Sequence, residues 1–151
     1  MAERFFDTSA VAKHYRAEIG TSMVDGFLAE TDSRHFVSSL TVVELHSVLA
    51  RLVRTGEITA ADFALARGRF LADISAGLWL VVPITSTHFH HAQHLLVKYG
   101  LRYSLRTLDA LQLAASLLGG VAPFDLFVCA DSNLCFVAVA EGLAVVNPEV
   151  S

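Results

Sequence analysis

The chain is poor in cysteine and in charge. Cys129 and Cys135 are its only cysteines, with five residues between them. Such a pair makes no zinc motif by itself, so both read as small buried residues. Charged residues are 17% of the 151, and the net charge is −4. That excludes a generally basic nucleic-acid binder, while leaving room for a local basic groove on an acidic body. Neither a Gly-x-Gly-x-x-Gly nor a Gly-Lys-Ser/Thr sequence occurs, so a nucleotide-binding α/β domain has no support. Long apolar runs are missing too, and a membrane-spanning helix needs about 20 mostly apolar residues. Residues 110–124 lack charge but are too short and are broken by Gly119, Gly120 and Pro123. Residues 74–97 also lack charge, but they hold four histidines and Pro83. The opening "MAERFFDTSA" has no signal-peptide pattern. The expectation is a soluble cytoplasmic protein with no membrane partner.

What is present is apolar. Hydrophobic residues make up 54% of the chain, and mean hydropathy is +0.51. The length suffices for one domain with a real core. The apolar excess points to surface hidden in an oligomer or under a partner. Strand and helix patterns alternate. "RFF" (4–6), "HFVSS" (35–39), "LWLVVPI" (78–84), "LFVCA" (126–130) and "LAVVN" (143–147) read as strands. The run 78–84, continuous and rich in β-branched residues, reads as a buried strand with Trp79 in the core. Helices are expected at 9–15, 21–28, from Thr41 to a stop at Gly56, and from Thr59 with Phe63, Leu65, Phe70 and Ile74 on its apolar face. Others are expected from Thr85 or Ser86 to Tyr99, at 107–118, and from Ser132 to a stop at Gly142. Strands separated by helices imply right-handed crossovers and a mainly parallel sheet covered on both faces. No repeat or linker appears, so residues 1–151 are expected to form a single domain.

In such a sheet, sites form at the carboxyl ends of strands. Asp7 directly follows the first strand and Asp131 the strand "LFVCA". Glu44 and Asp109 sit inside apolar helical patterns, in "SLTVVELHSVLAR" and "RTLDALQLAAS". Each has an ordinary explanation. Asp7 and Asp131 can be helix N-caps, Asp109 a first-turn acid, and Thr41 with Glu44 a capping box. Together they place four carboxylates at the end of the sheet where this architecture builds sites. If converged, they repel unless a cation neutralises them. Hard oxygen donors without Cys or His suit Mg²⁺ or Mn²⁺, which can activate water for phosphodiester cleavage. A haloacid-type phosphatase would want an acid two residues after Asp7, where Ser9 stands.

Four stretches resemble one family. "FFDTSAVAKHYRAEIGTS", "SSLTVVELHSVLARLVRTGEIT", "LRYSLRTLDALQLAAS" and "LFVCADSNLCFVAVAEGLAVVNP" resemble, in order, the motifs of PIN-domain ribonucleases of the VapC type, toxins of toxin–antitoxin pairs. The likeness covers almost the whole chain. It implies a PIN-like α/β fold with about five strands, and an endoribonuclease dependent on Mg²⁺ or Mn²⁺. It puts the metal-binding and catalytic acids on Asp7, Glu44, Asp109 and Asp131, with Ser9 lining the site and Asn133 in reach of a metal-bound water. It also implies an RNA substrate, a cognate antitoxin and a homodimer. The antitoxin would lie over the site and the helices at 21–28 and 41–54. Two departures stand out. Cys129 occupies a position where the family commonly has Thr, and Ser132 and Asn133 stand where basic residues or a further Asp are frequent. The rival classes are a non-catalytic PIN-fold module that binds RNA or a partner, and a DNA nuclease of similar chemistry.

Arg51, Arg54, Arg67, Arg69, Arg102 and Arg106 are candidates for phosphate contact, Arg102 and Arg106 above all because they precede Asp109. "THFHHAQH" (87–94) puts His90 and His94 on one helix face. It reads as a solvated face rather than a metal site, because no further ligands are evident nearby.

Overall fold

The structure is a computed structural model that describes residues 1–120 and 122–150. Val121, inside the apolar stretch 110–124, and Ser151 lie outside the described residues. In chain order the elements are β1 (Ala2–Phe6), α1 (Thr8–Tyr15), α2 (Thr21–Ala29), β2 (Ser33–Ser38), α3 (Ser39–Arg54) and α4 (Ala60–Ser75). There follow β3 (Leu80–Val82), α5 (Ser86–Tyr99), α6 (Thr107–Leu118), β4 (Leu126–Val128), α7 (Ser132–Ala140) and β5 (Val145–Val146). The strands form one parallel sheet in the order β3-β2-β1-β4-β5. Among the described residues no helix is long and apolar enough to cross a membrane.

The central position of β1 explains its composition. Its last two residues, Phe5 and Phe6, are buried and apolar because the sheet is covered on both faces there, and successive side chains point to opposite faces. Phe5 enters one core with Phe124 and Phe127, at ring centroid distances of 5.4 and 5.9 Å. That core is closed by α5, α6 and α7. Phe6 enters the other, with Trp79 edge-on at 5.2 Å, closed by α1 to α4. The helices are therefore divided by chain order, the first four on one face and the last three on the other.

The Trp79 indole N–H donates to the Tyr15 hydroxyl at 2.7 Å, and that hydroxyl donates to Asp73 at 2.5 Å. This chain of bonds satisfies a buried polar group and ties α1 to the end of α4. At Gly20 the backbone has φ +93°, and a Cβ there would stand 2.8 Å from the Pro148 carbonyl oxygen. Only glycine lets the α1–α2 connection lie against the C-terminal segment.

Several expectations change. The run 78–84 yields a strand of three residues at the sheet edge, with Val81 exposed. Trp79 precedes that strand and is buried. Leu65, expected on the apolar face of α4, is 68% exposed. The helix placed from Thr41 begins at Ser39, and its cap is Ser38, whose Oγ accepts from the Thr41 N–H at 3.3 Å. Thr41 and Glu44 form no capping box. A capping box is found instead at Thr59, with Asp62 as its reciprocal partner.

Candidate functional site

Two strand-to-helix corners stand side by side at the carboxyl end of the sheet. At the first, β1 runs into α1 through Asp7. The Asp7 N–H continues the ladder to β4 by donating to the Val128 carbonyl at 3.0 Å. Its Oδ1 caps α1, accepting from the Ala10 N–H at 3.2 Å and from the Ser9 hydroxyl at 2.6 Å. At the second corner, Asp131 caps α7, its Oδ1 accepting from the Leu134 N–H at 3.0 Å. Ser9 joins the corners, because its Oγ accepts from the Ala130 N–H at 3.0 Å. Both acids are the helix N-caps that their positions allowed. A carboxylate has two oxygens, and in each case the cap involves one.

Asp109 lies in the first turn of α6. Its Oδ2 accepts from the Arg106 N–H at 3.1 Å and faces the Arg106 guanidinium at 3.5 Å. Glu44 is one turn into α3. Its Oε1 accepts from the Thr8 hydroxyl at 2.9 Å and from the Gln112 amide at 2.8 Å. Thus all four predicted acids line a single cleft of about 400 Å³, and Ser9, Thr8 and Gln112 line it with them. They ring the cleft rather than converge. Among the described residues no three His, Cys, Asp or Glu side chains are grouped as metal ligands.

The electrostatics of the cleft are acidic. Its lining also includes Glu18 and Glu149, six carboxylates with the first four, against Lys13, Arg16, Arg51 and Arg106. Lys13 is buried and committed to Glu149 at 2.7 Å, to the Ile19 carbonyl at 2.7 Å and to Glu18 at 3.1 Å. Arg16 reaches Glu57 at 3.3 Å. Burial pushes the Asp7 carboxyl up to about 6. Hydrogen bonds from Ser9, the Ala10 N–H and the Cys129 thiol oppose the rise, and the nearby Asp131 adds to it. The Cys129 thiol is itself raised, by its contact with Cys135 and by burial. Cys129 is fully buried, and its Sγ lies 3.4 Å from the Asp131 carbonyl. A buried carboxyl held above its ordinary range beside a second acid is a place that favours a cation. The donor set is all oxygen, with one oxygen of each predicted acid outside the bonds described, which suits a hard divalent ion such as Mg²⁺ or Mn²⁺.

Other candidates lie elsewhere. Asn133 is exposed on α7 and does not line the cleft, because the first turn of α7 carries it outward. Arg102 is exposed in the α5–α6 connection, also away from the cleft, whereas Arg106 and Arg51 are on it. Arg69 lies over the Tyr15 ring in a second hollow of about 340 Å³ between α1, α3 and α4. In the histidine stretch, His88 Nδ1 accepts from the Thr85 N–H at 3.0 Å and helps to start α5. His90 and His94 are exposed. Sequence reasoning missed Thr8, Arg16 and Gln112. For Gln112 a signal existed: one amide inside the otherwise apolar "ALQLAA" of α6 needs partners.

A parallel α/β sheet with an acid cleft where the β1 and β4 corners meet defines the structural class. The chain belongs to the PIN-domain family, whose model matches residues 4–141. It is similar in fold to VapC20 of Mycobacterium tuberculosis, a sarcin–ricin loop cleaving toxin. That match has a TM-score of 0.69 and 19% identity over 96% of this chain and 99% of that one. FitAcB of Neisseria gonorrhoeae matches with a TM-score of 0.67 and 17% identity, over 98% of this chain and 99% of that one. A toxin–antitoxin complex of Klebsiella pneumoniae matches with a TM-score of 0.62 and 16% identity, over 96% and 97%. No curated protein matches the chain in sequence.

Proposed function

We propose that the protein is a metal-dependent endoribonuclease, the toxin of a type II toxin–antitoxin pair. The observation that carries this reading is the single cleft shared by Asp7, Glu44, Asp109 and Asp131 at the carboxyl end of the sheet. An acidic cleft repels phosphate, so a polyanion enters only with a cation present. The second oxygens of the four acids would hold Mg²⁺ or Mn²⁺. When bound, such an ion lowers the pKa of water and polarises a phosphoryl oxygen. The protein's own part is to orient the acids through their first oxygens and to accept a proton from the attacking water at a carboxylate left free. Arg106 and Arg51, on the rim, draw the RNA backbone in.

The antitoxin partner is supported by the toxin–antitoxin complex among the neighbours and by the second hollow. That hollow shares Arg16 and Leu49 with the cleft, so one covering segment would reach both. Exposed Leu65 on its wall is the kind of side chain such a segment buries. The homodimer is supported by exposed Val97, Phe136 and Val139 on α5 and α7. Tyr103, in the α5–α6 connection, packs on Phe136 at 4.9 Å.

The test is cleavage of a mixed RNA pool by wild type and Asp7→Asn, with Mg²⁺, Mn²⁺ or EDTA and a parallel single-stranded DNA arm. Metal-dependent cutting of RNA that the variant loses supports the reading. Cutting of DNA alone would favour the related nuclease. No cutting by folded wild type free of antitoxin would favour a binding module.

A further inference from the structure

We infer that Gln112 is a positioning residue that fixes which oxygen of Glu44 faces the cleft. This rests on the metal-dependent reading above. Glu44 sits on α3, and two neighbouring elements hold it. Gln112, in the middle of α6, is 3% exposed. Its Nε2 lies 2.8 Å from Glu44 Oε1, 2.8 Å from Thr41 Oγ1 and 3.0 Å from Thr8 Oγ1. Its Oε1 accepts from the Ser38 hydroxyl at 2.8 Å. The amide has one workable orientation. Reversed, it would set a carbonyl oxygen against the Glu44 carboxylate and leave the Ser38 hydroxyl facing two hydrogens.

The hydroxyls follow from that orientation. Thr8 donates to Glu44 Oε1, and Thr41 lies 2.9 Å from Thr8, able to donate to it in turn. Glu44 Oε1 therefore has two donors, which leaves Oε2 as the oxygen offered to a cation. Four elements meet here: the end of β2 at Ser38, α3 at Thr41 and Glu44, α1 at Thr8 and α6 at Gln112. Thr41 and Ser38 are wholly buried. A polar network this well satisfied is rigid, and removing one member leaves the others short of a partner. The network thus ties Glu44 to the α1 corner, beside Asp7, and to the helix that bears Asp109.

The test is Mn²⁺ binding measured by calorimetry, with melting curves as the check on folding. Gln112→Met keeps the length and removes both amide groups. It is expected to weaken Mn²⁺ binding about tenfold or more, as loss of the outer support of a metal ligand does. In a Glu44→Gln background the same change is expected to shift Mn²⁺ affinity by less than about twofold, since its effect passes through Glu44. A purely structural role would move the melting temperature in both backgrounds and leave affinity unchanged. Folded Gln112→Met with wild-type Mn²⁺ affinity would overturn the inference. If Gln112→Met does not fold, Ser38→Ala, which frees the amide to turn, should weaken Mn²⁺ binding in the same direction and by less. Unchanged affinity there would overturn the inference as well. Wild type that binds no Mn²⁺ would overturn the parent reading, and this inference with it.

Discussion

The Asp7 and Asp131 corners share a plan and differ in depth. Both acids lie between a strand and the helix that follows it, Asp7 directly after β1 and Asp131 three residues after the end of β4; both cap that helix through Oδ1 and line the same cleft. Asp7 is 6% exposed, and its carboxyl is pushed up to about 6. Asp131 is only half-buried. Two residues further on, Ser9 turns back to bind Asp7 and to link the corners, whereas Asn133 points outward. The difference follows from the sheet. Asp7 leaves its central strand, β1, which is covered on both sides by whole helices, while β4 lies one place nearer the edge. One local motif thus gives two chemically distinct acids, and tertiary position decides which is which.

The largest expected effect comes from removing the deeper charge. Asp7→Asn keeps the cap and the shape, yet RNA cleavage at saturating Mn²⁺ should fall by about 10³-fold or more, measured as single-turnover rates. The same comparison predicts a pH effect on stability. Asp7 binds its proton more tightly when folded than when unfolded, with values of about 6 and 3.8. Its stabilising contribution is therefore complete below pH 3.8 and is lost as pH rises through 6. The full span amounts to about 3 kcal/mol. Urea melts in EDTA from pH 4 to 7.5 should show wild type losing that stability relative to Asp7→Asn, so the variant is the more stable protein at neutral pH. Parallel curves would mean that burial does not raise the Asp7 carboxyl.

At the shallower corner the cap dominates. Asp131→Ala should lower stability by about 1 kcal/mol through the lost bond to Leu134, and Asp131→Asn, itself a good cap, by much less. Paired thermal melts of the two variants would check this. The smallest effect concerns the rim. Arg106→Ala should weaken RNA binding a few-fold, lower the salt slope by about one and leave Mn²⁺ affinity unchanged. Arg102→Ala, outside the cleft, should do neither. Equal RNA affinity in wild type and Arg106→Ala would remove Arg106 from the RNA path.

Much of this was legible in the sequence where a local rule governs. The α6 bounds, 107–118, follow from Gly119 and the apolar run and are found as expected. The parallel sheet follows from the alternation of strands and helices. Legibility ended where partners are distant in sequence. Nothing local distinguishes Ser38 from Thr41 as the α3 cap, because Thr41 is diverted by contacts to Thr8 and Gln112. Composition marks the run 78–84 as strand, but only the sheet order shows that it is an edge. Asn133 and Arg102 stand close in sequence to cleft acids, yet side-chain direction takes both away. Leu65 fits a helical apolar pattern, although α4 turns that position outward.

The link between Ser9 and Ala130 spans 121 positions of the chain. The strand bearing the first acid is made well before the strand that completes its surroundings. Until β4 emerges from the ribosome and pairs with β1, Asp7 has neither its ladder bond to Val128 nor its neighbour Asp131. A chain still in synthesis therefore carries the first acid without the cleft, which forms only once both strands are present and paired.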